Sequence, residues 1–285
     1  MTLVTRVREI GRRAGALAMA CHLGPTLAVT ALSTALAIGV GANARTTVLI
    51  GAAVLAGQLS IGWSNDWIDA GRDLAVGRRG KPIVAGLVST RDVRAAAIVA
   101  AALCVPLSLS TGWRAGSVHL VAVAAAWGYN VRLKSSWWSW APYALSFGLL
   151  PAFVTLALPG HPWPSRWVLG AAALLGVGAH LANVIPDLED DRSTGVHGLP
   201  HRLGRTRSSL LAPATLLGAT ALIVLGPAGD PGRWAWLGLV AAGGIAAAVA
   251  VVALTRRHSR VPFYLTIAVA ALDVALLVGA GASLV

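Results

Sequence analysis

Polar and apolar positions along the chain alternate on a long scale rather than a short one. Apolar runs of about twenty residues each are separated by short polar, mostly basic connections. Nine such runs can be drawn, over about 18–41, 46–65, 93–111, 115–131, 138–158, 166–186, 208–226, 234–254 and 262–284. A helix needs roughly 20 apolar residues to cross the hydrocarbon core of a bilayer. The runs therefore predict an all-α, polytopic membrane protein, a bundle of about nine transmembrane helices. They are rich in Ala, Gly, Leu and Val, and the small residues among these let helix backbones approach closely in lipid. No connection is long enough to hold a soluble domain, so residues 1–285 read as one membrane domain.

Composition agrees. The chain is 56% hydrophobic and 12% charged, with a mean hydropathy of +0.71. Soluble domains carry about 25% charged residues. The net charge of +12 does not point to nucleic acid, because the basic residues sit in the connections instead of forming one groove. Nineteen of the 23 Lys and Arg fall in the N-terminal tail and the loops after the second, fourth, sixth and eighth runs. Only Arg45, Arg114, Arg166 and Arg233 lie on the other side. The asymmetry predicts an inner-membrane protein with its N-terminus and basic loops in the cytoplasm and its C-terminus outside. Cys21 and Cys104 stand in apolar runs, far apart, and read as small core residues rather than a disulfide. The N-terminal arginines before an apolar run imitate a signal peptide, but the run continues well past Cys21, so no cleavage is expected.

Carboxylates are scarce, and their placement carries the chemistry. Seven of the eleven Asp and Glu fall in two stretches, Asn65 to Asp73 and Asp187 to Asp191. Both lie where an apolar run ends on the basic side, after the second and sixth runs. Four runs separate them, which suggests a pseudo-repeat of four-helix units, spans 1–4 and 5–8. If the second helix continues through residue 73, Asp66, Asp69 and Asp73 share an arc of about 60° and Asn65 stands one turn before Asp69. His180, Asn183, Asp187 and Asp191 are spaced to share a face in the same way. Carboxylates stacked at a membrane edge repel one another and are costly there, unless a hard cation such as Mg²⁺ lies between them. Arg72, Arg78 and Lys81 follow the first stretch, and Arg132 and Lys134 lie on the same side. Acidic clusters among cations suit a polyanion bridged by metal, namely a diphosphate. The apolar bundle around them suggests that this diphosphate carries a hydrocarbon tail.

At this point the sequence resembles the UbiA superfamily of intramembrane prenyltransferases. The resemblance rests on the Asn-Asp-x-x-Asp-x-x-x-Asp stretch, then Lys81-Pro82-Ile83 and Gly86, then Tyr129-Asn130-Val131-Arg132-Leu133-Lys134. It continues with Asp187-Leu188-Glu189-Asp190-Asp191, Gly195, Leu199-Pro200 and Leu203-Gly204, and so covers essentially the whole chain. It implies a helical bundle around a central cavity open to lipid, and Mg²⁺-dependent ionisation of an allylic prenyl diphosphate. Asn65, Asp69 and Asp73 match the first motif's metal ligands, with Asp66 the more variable position. Asp187 and Asp191 match the second, and Lys134 the diphosphate-binding lysine. Arg72, Arg78, Lys81 and Arg132 are expected to assist with diphosphate. Lys81 replaces the more common Arg before Pro82, which keeps the charge but loses a bidentate contact. The implied reaction is transfer of a prenyl group to a small aromatic acceptor, with Asp69 and Asp191 catalytic and Asp191 taking up the released proton. The alternative is a membrane terpene cyclase that closes the same donor on itself, and a lipid-diphosphate transporter or scaffold is a third reading. No protein partner is predicted.

Other polar residues invite plainer readings. His180, Asn183, Tyr129 and Trp67 are possible cavity-lining residues. His22, His119 and His180 read as hydrogen-bonded bundle residues, His197 and His201 as solvated. Glu189 and Asp190 should face water. Asp273, alone within the last run, must pair, line the cavity or stay protonated. Trp137, Trp138 and Trp140 read as membrane-interface anchors.

Overall fold

The computed structural model describes residues 3–255, 261–280 and 283–284. Among the described residues the chain is all-helical, with eleven α-helices and a single 3₁₀ turn. In chain order these are α1 (Leu3–Ala20), α2 (Leu23–Gly39), α3 (Ala44–Ala75), α4 (Thr90–Leu109), α5 (Trp113–Val131) and the turn at Leu133–Ser135. Then come α6 (Ala141–Leu156), α7 (Arg166–Val184), α8 (Leu188–Ser193), α9 (Leu199–Leu225), α10 (Gly232–Thr255) and α11 (Val261–Gly279). The second to ninth apolar runs overlap one helix each, α3, α4, α5, α6, α7, α9, α10 and α11, and the first covers the end of α1 and the whole of α2. By length and composition six of these helices are able to cross a membrane, and α1 with α2 make a seventh as a broken pair. The 16 residues of α6 form a shorter apolar helix. Arg256, Arg257 and Arg260, part of the charge asymmetry, lie outside the described residues.

Two local features depart from the run boundaries. The run at 18–41 is not one helix: α1 ends at Ala20, and the axis turns by 71° into α2. The turn is made at His22, whose φ of 55° lies in the left-handed region, and Pro25 occupies the first turn of α2, where its missing N–H costs little. The second run extends ten residues further than its apolar part. With 32 residues, α3 carries the whole first acidic stretch on one continuous helix. It starts on an Asn43 cap that accepts from the Thr46 N–H at 2.9 Å, and α4 starts on Ser89, which accepts from Asp92 at 3.1 Å.

Small residues set the packing, as expected for a bundle in lipid. α3 packs against α2, α4 and α5, and α7 against α6, α9 and α11. At Gly62 a Cβ would lie 2.1 Å from the Cys21 carbonyl oxygen, so only glycine lets α3 cross the α1–α2 break. Phe153, Ile50, Leu36 and Leu156 fill the centre, while Leu55, Ile98, Leu103, Val121, Val240 and Val251 are exposed on the outside. Cys21 and Cys104 are buried free thiols. Between α2, α6, α7 and α11 lies an apolar cavity lined by Leu36, Phe147, Leu150, Ala172, Leu175 and Leu277, with Ser33 its polar member. Asp273 is fully buried, and the Thr220 hydroxyl of α9 donates to its Oδ1.

Candidate active site

The first acidic stretch is held rigidly. Asn130 of α5 is buried, and its amide donates to the Ile61 carbonyl at 2.9 Å and to Ser64 Oγ at 2.8 Å. Asn65 donates to Asn130 Oδ1 at 3.3 Å and to Asp69 Oδ2 at 3.4 Å. The end of α5 is thereby tied to the turn of α3 just before the acids. Three residues beyond Val131 the chain delivers Lys134, itself buried, onto Asp69 Oδ1, which Arg72 also contacts from one turn away.

A second junction fixes Lys134 from behind. Ser139 Oγ accepts from the Leu199 N–H at 2.9 Å and is 3.0 Å from His180 Nε2. A Cβ at Gly198 would lie 2.4 Å from the Lys134 carbonyl oxygen, so the start of α9 presses directly on the lysine's backbone. Burial lowers the affinity of the Lys134 amine for its proton below the usual lysine range, and Asp69 only partly offsets that.

The second acidic stretch is built differently. The spacing of His180, Asn183, Asp187 and Asp191 predicts one helical face, but α7 stops at Val184 and a separate six-residue helix, α8, starts at Leu188. Pro186 is the cause, since it has no N–H to bond back to the carbonyl of Ala182. Asp187 sits in the turn with its side chain 56% exposed. Asp191 is one turn into α8, where its N–H bonds the Asp187 carbonyl at 2.9 Å. His180 remains on α7, buried among Tyr129 and Tyr143 with ring centroids 5.6 and 4.9 Å away. Asn183 is exposed beside Tyr143.

One side chain joins the two stretches. Arg78, in the loop after α3, lies 3.3 Å from Asp73 Oδ1 through Nη1, and its Nη2 lies 2.9 Å from Asp191 Oδ1 and 3.9 Å from Asp187 Oδ2. Both acidic stretches therefore stand at the same end of the bundle, within reach of one guanidinium. Burial works against that guanidinium's charge, but Asp187, Asp191 and Asp73 together hold its proton more firmly than usual. Burial likewise pushes the Asp191 carboxyl up, and the adjacent His201 and Arg78 outweigh it, holding Asp191 below the ordinary carboxylate range.

The remaining expected residues take varied places. Asp66 is buried and turns to His22 Nε2 at 3.0 Å and to Lys81, which also lies 3.1 Å from His22. Trp67 packs edge-on to Trp127 with Arg94 over its ring, in the cluster of α1 and α4. Arg132 is exposed and makes none of the ion pairs among the described residues at this end. His201, expected in water, is buried in the first turn of α9 with Nε2 3.5 Å from Asp191 Oδ2. Leu203 beside it packs against Leu181, Ala182 and Ala212, and α9 is kinked at Gly204. His22, Asn130, Ser139 and His201 thus join the site although spacing alone did not select them. Glu189 is exposed and bonded by Arg205. Trp137 and Trp138 are exposed, with Arg202 stacked over Trp137.

The donor set is one of hard oxygens, carboxylates and an amide, which suits Mg²⁺, and Arg78 shows that one cationic group can be shared between the stretches. The oxygens are not pre-gathered, however. Among the described residues no three of His, Cys, Asp and Glu stand close enough to hold a metal ion, because each carboxylate is drawn instead to Lys or Arg.

Known proteins resemble this chain in sequence and in fold. The model of the UbiA prenyltransferase family matches residues 25–273. The 33 kDa chain of bacteriochlorophyll synthase from Cereibacter sphaeroides is 35% identical over 198 residues, 63% of this chain; the match spans 64% of that relative's length. A digeranylgeranylglyceryl phosphate synthase structure superposes with a TM-score of 0.66 at 13% identity, covering 95% of this chain and 99% of that one. A UbiA homologue from Archaeoglobus fulgidus, solved with GPP and Mg²⁺, superposes with a TM-score of 0.62 at 16% identity, covering 94% and 100%. At such identities the structural likeness establishes the fold, and the family match covers most of the sequence. The chain is an integral membrane protein and belongs to the UbiA prenyltransferase family.

Proposed function

We propose that the protein transfers a prenyl group from an allylic prenyl diphosphate to a small aromatic acceptor, in a Mg²⁺-dependent reaction at the cytoplasmic mouth of the bundle. The observation that carries this reading is Arg78 bridging Asp73 to Asp187 and Asp191, with Lys134 buried on Asp69 beside it. Asn65, Asp66, Asp69, Asp73, Asp187 and Asp191 are the proposed metal-side residues. When bound, Mg²⁺ would neutralise charge on the departing diphosphate. Lys134, Arg72, Arg78 and Lys81 bind its oxygens, and Arg132, exposed at the rim, assists entry. The apolar helices below keep water from the allylic cation, and the Tyr129, Tyr143 and His180 rings offer it aromatic faces. The acceptor attacks C1 of the prenyl group, and Asp191 takes up a proton where the acceptor loses one.

The 35% identity to a bacteriochlorophyll synthase chain supports an acceptor with a conjugated ring. The excess of basic residues at this end supports an inner-membrane site facing the cytoplasm. The test is direct. Purified protein in lipid nanodiscs is given Mg²⁺, a prenyl diphosphate and a panel of chlorin and phenolic acceptors, and products are read by mass spectrometry. The expected result is one prenylated acceptor with diphosphate released in equal amount, abolished by EDTA. A cyclic hydrocarbon formed without acceptor would assign cyclase activity instead, and unchanged donor with every acceptor would leave a binding protein.

A further inference from the structure

Each carboxylate at the mouth already has a cation. Asp66 is held by Lys81 and His22, Asp69 by Arg72 and Lys134, and Asp73 and Asp191 by Arg78, which also approaches Asp187. Five carboxylates thus face four Lys and Arg, and among the described residues only Arg78 spans both stretches. It sits just after Gly77, whose φ of 66° turns the chain back over the end of α3, and its side chain is 23% exposed. A bare divalent ion entering between the stretches must therefore compete with a guanidinium for the same three carboxylates. Its cost is the separation of that guanidinium from all three. A diphosphate changes the balance. It offers Arg78 paired oxygens that match the guanidinium fork, so the carboxylates are released as the arginine changes partner.

Building on the proposed function, we propose that Arg78 is a resident counter-ion that closes the gap between the two acidic stretches and gives it up only to an incoming diphosphate. Metal and diphosphate then load together, and the empty site does not hold metal by itself. The linkage is reciprocal: whatever factor diphosphate adds to metal affinity, metal adds to diphosphate affinity. The arrangement keeps a metal-filled, substrate-free site from accumulating.

The experiment is equilibrium dialysis of the full-length protein in nanodiscs against Mn²⁺, with and without inorganic pyrophosphate, bound Mn²⁺ being read by electron paramagnetic resonance. Wild type should bind Mn²⁺ weakly alone and about a hundredfold more tightly with pyrophosphate. Arg78→Gln should bind Mn²⁺ alone about tenfold more tightly than wild type, with the pyrophosphate enhancement reduced by about the same factor. Arg78→Lys, which keeps the charge without the fork, should lie between them and shows that the site remains folded. Unchanged or weaker binding of Mn²⁺ alone by Arg78→Gln, with the enhancement intact, would overturn the counter-ion role and leave the proposed function standing. Failure of the wild type to bind Mn²⁺ even with pyrophosphate would instead overturn the metal-dependent reading on which it rests.

Discussion

The two acidic stretches look alike in sequence and are opposite in construction. The first rides on the last turns of a 32-residue helix, its Asp66 and Asp73 buried and its Asn65 locked to Asn130. The second spans a proline break, with Asp187 exposed in a turn and Asp191 on a helix of six residues. A buried polar network that is fully satisfied is rigid. A short helix between two turns has few contacts to hold it, and such elements open at low cost. The contrast suggests a division of labour, in which the α3 half is a fixed template and the α8 half adjusts around whatever sits between them. Arg78, anchored to the template and reaching the movable half, is the part that reads whether the gap is filled.

Breaking the template should have the largest effect. Asp69→Ala removes the carboxylate shared by Arg72 and Lys134 and should lower kcat/KM by on the order of 10³-fold, with the fold intact by circular dichroism. Asp187→Ala should also abolish measurable turnover. Because its side chain is exposed, however, thermal unfolding should not change by more than about 0.5 kcal/mol. Turnover near the wild-type rate in either variant would contradict metal-assisted ionisation. Asn130→Ala strikes the template indirectly. Loss of its buried bonds to Ile61 and Ser64 should cost about 1–3 kcal/mol of stability and loosen Lys134 as well, seen as a raised KM for the donor. Ser139→Ala removes the contacts to the Leu199 N–H and His180 and should reach Lys134 only through the start of α9, raising that KM by about tenfold or less while kcat falls little. Smallest of all, Arg132→Ala should leave kcat within about twofold, as its exposed side chain makes no ion pair at the mouth among the described residues.

Much of this arrangement was legible in the residues. The apolar runs gave the all-helical bundle because length and hydropathy decide what can cross a bilayer, although only six helices, or seven with the broken α1–α2 pair, are long and apolar enough to do so. The i, i+3, i+7 spacing of Asp66, Asp69 and Asp73 gave the first stripe, since nothing between Ala44 and Ala75 breaks a helix. The second stripe failed at a visible signal: Pro186 lies between Asn183 and Asp187, and a proline there cannot continue the hydrogen-bond ladder. The bend at His22 was harder to see, because a left-handed residue inside an apolar run leaves no periodic trace. His201 was read as solvated from its polar loop, yet the kink at Gly204, with φ of 80°, lets the first turn of α9 fold inward under α8. Ser139 and Asn130 act through contacts 60 and 66 residues away along the chain, a separation that spacing arguments do not reach.

The central claim is that both acidic stretches grip a single diphosphate. A double-mutant cycle on pyrophosphate affinity, measured calorimetrically with Mg²⁺ present, tests it most directly, pairing Asp69→Asn on the template with Asp191→Asn on α8. If one ligand is held by both, each single change should remove most of the binding and the double change should cost little more than either, a coupling of about 1–3 kcal/mol. Losses that simply add would mean that the stretches act on separate ligands, and would contradict the account.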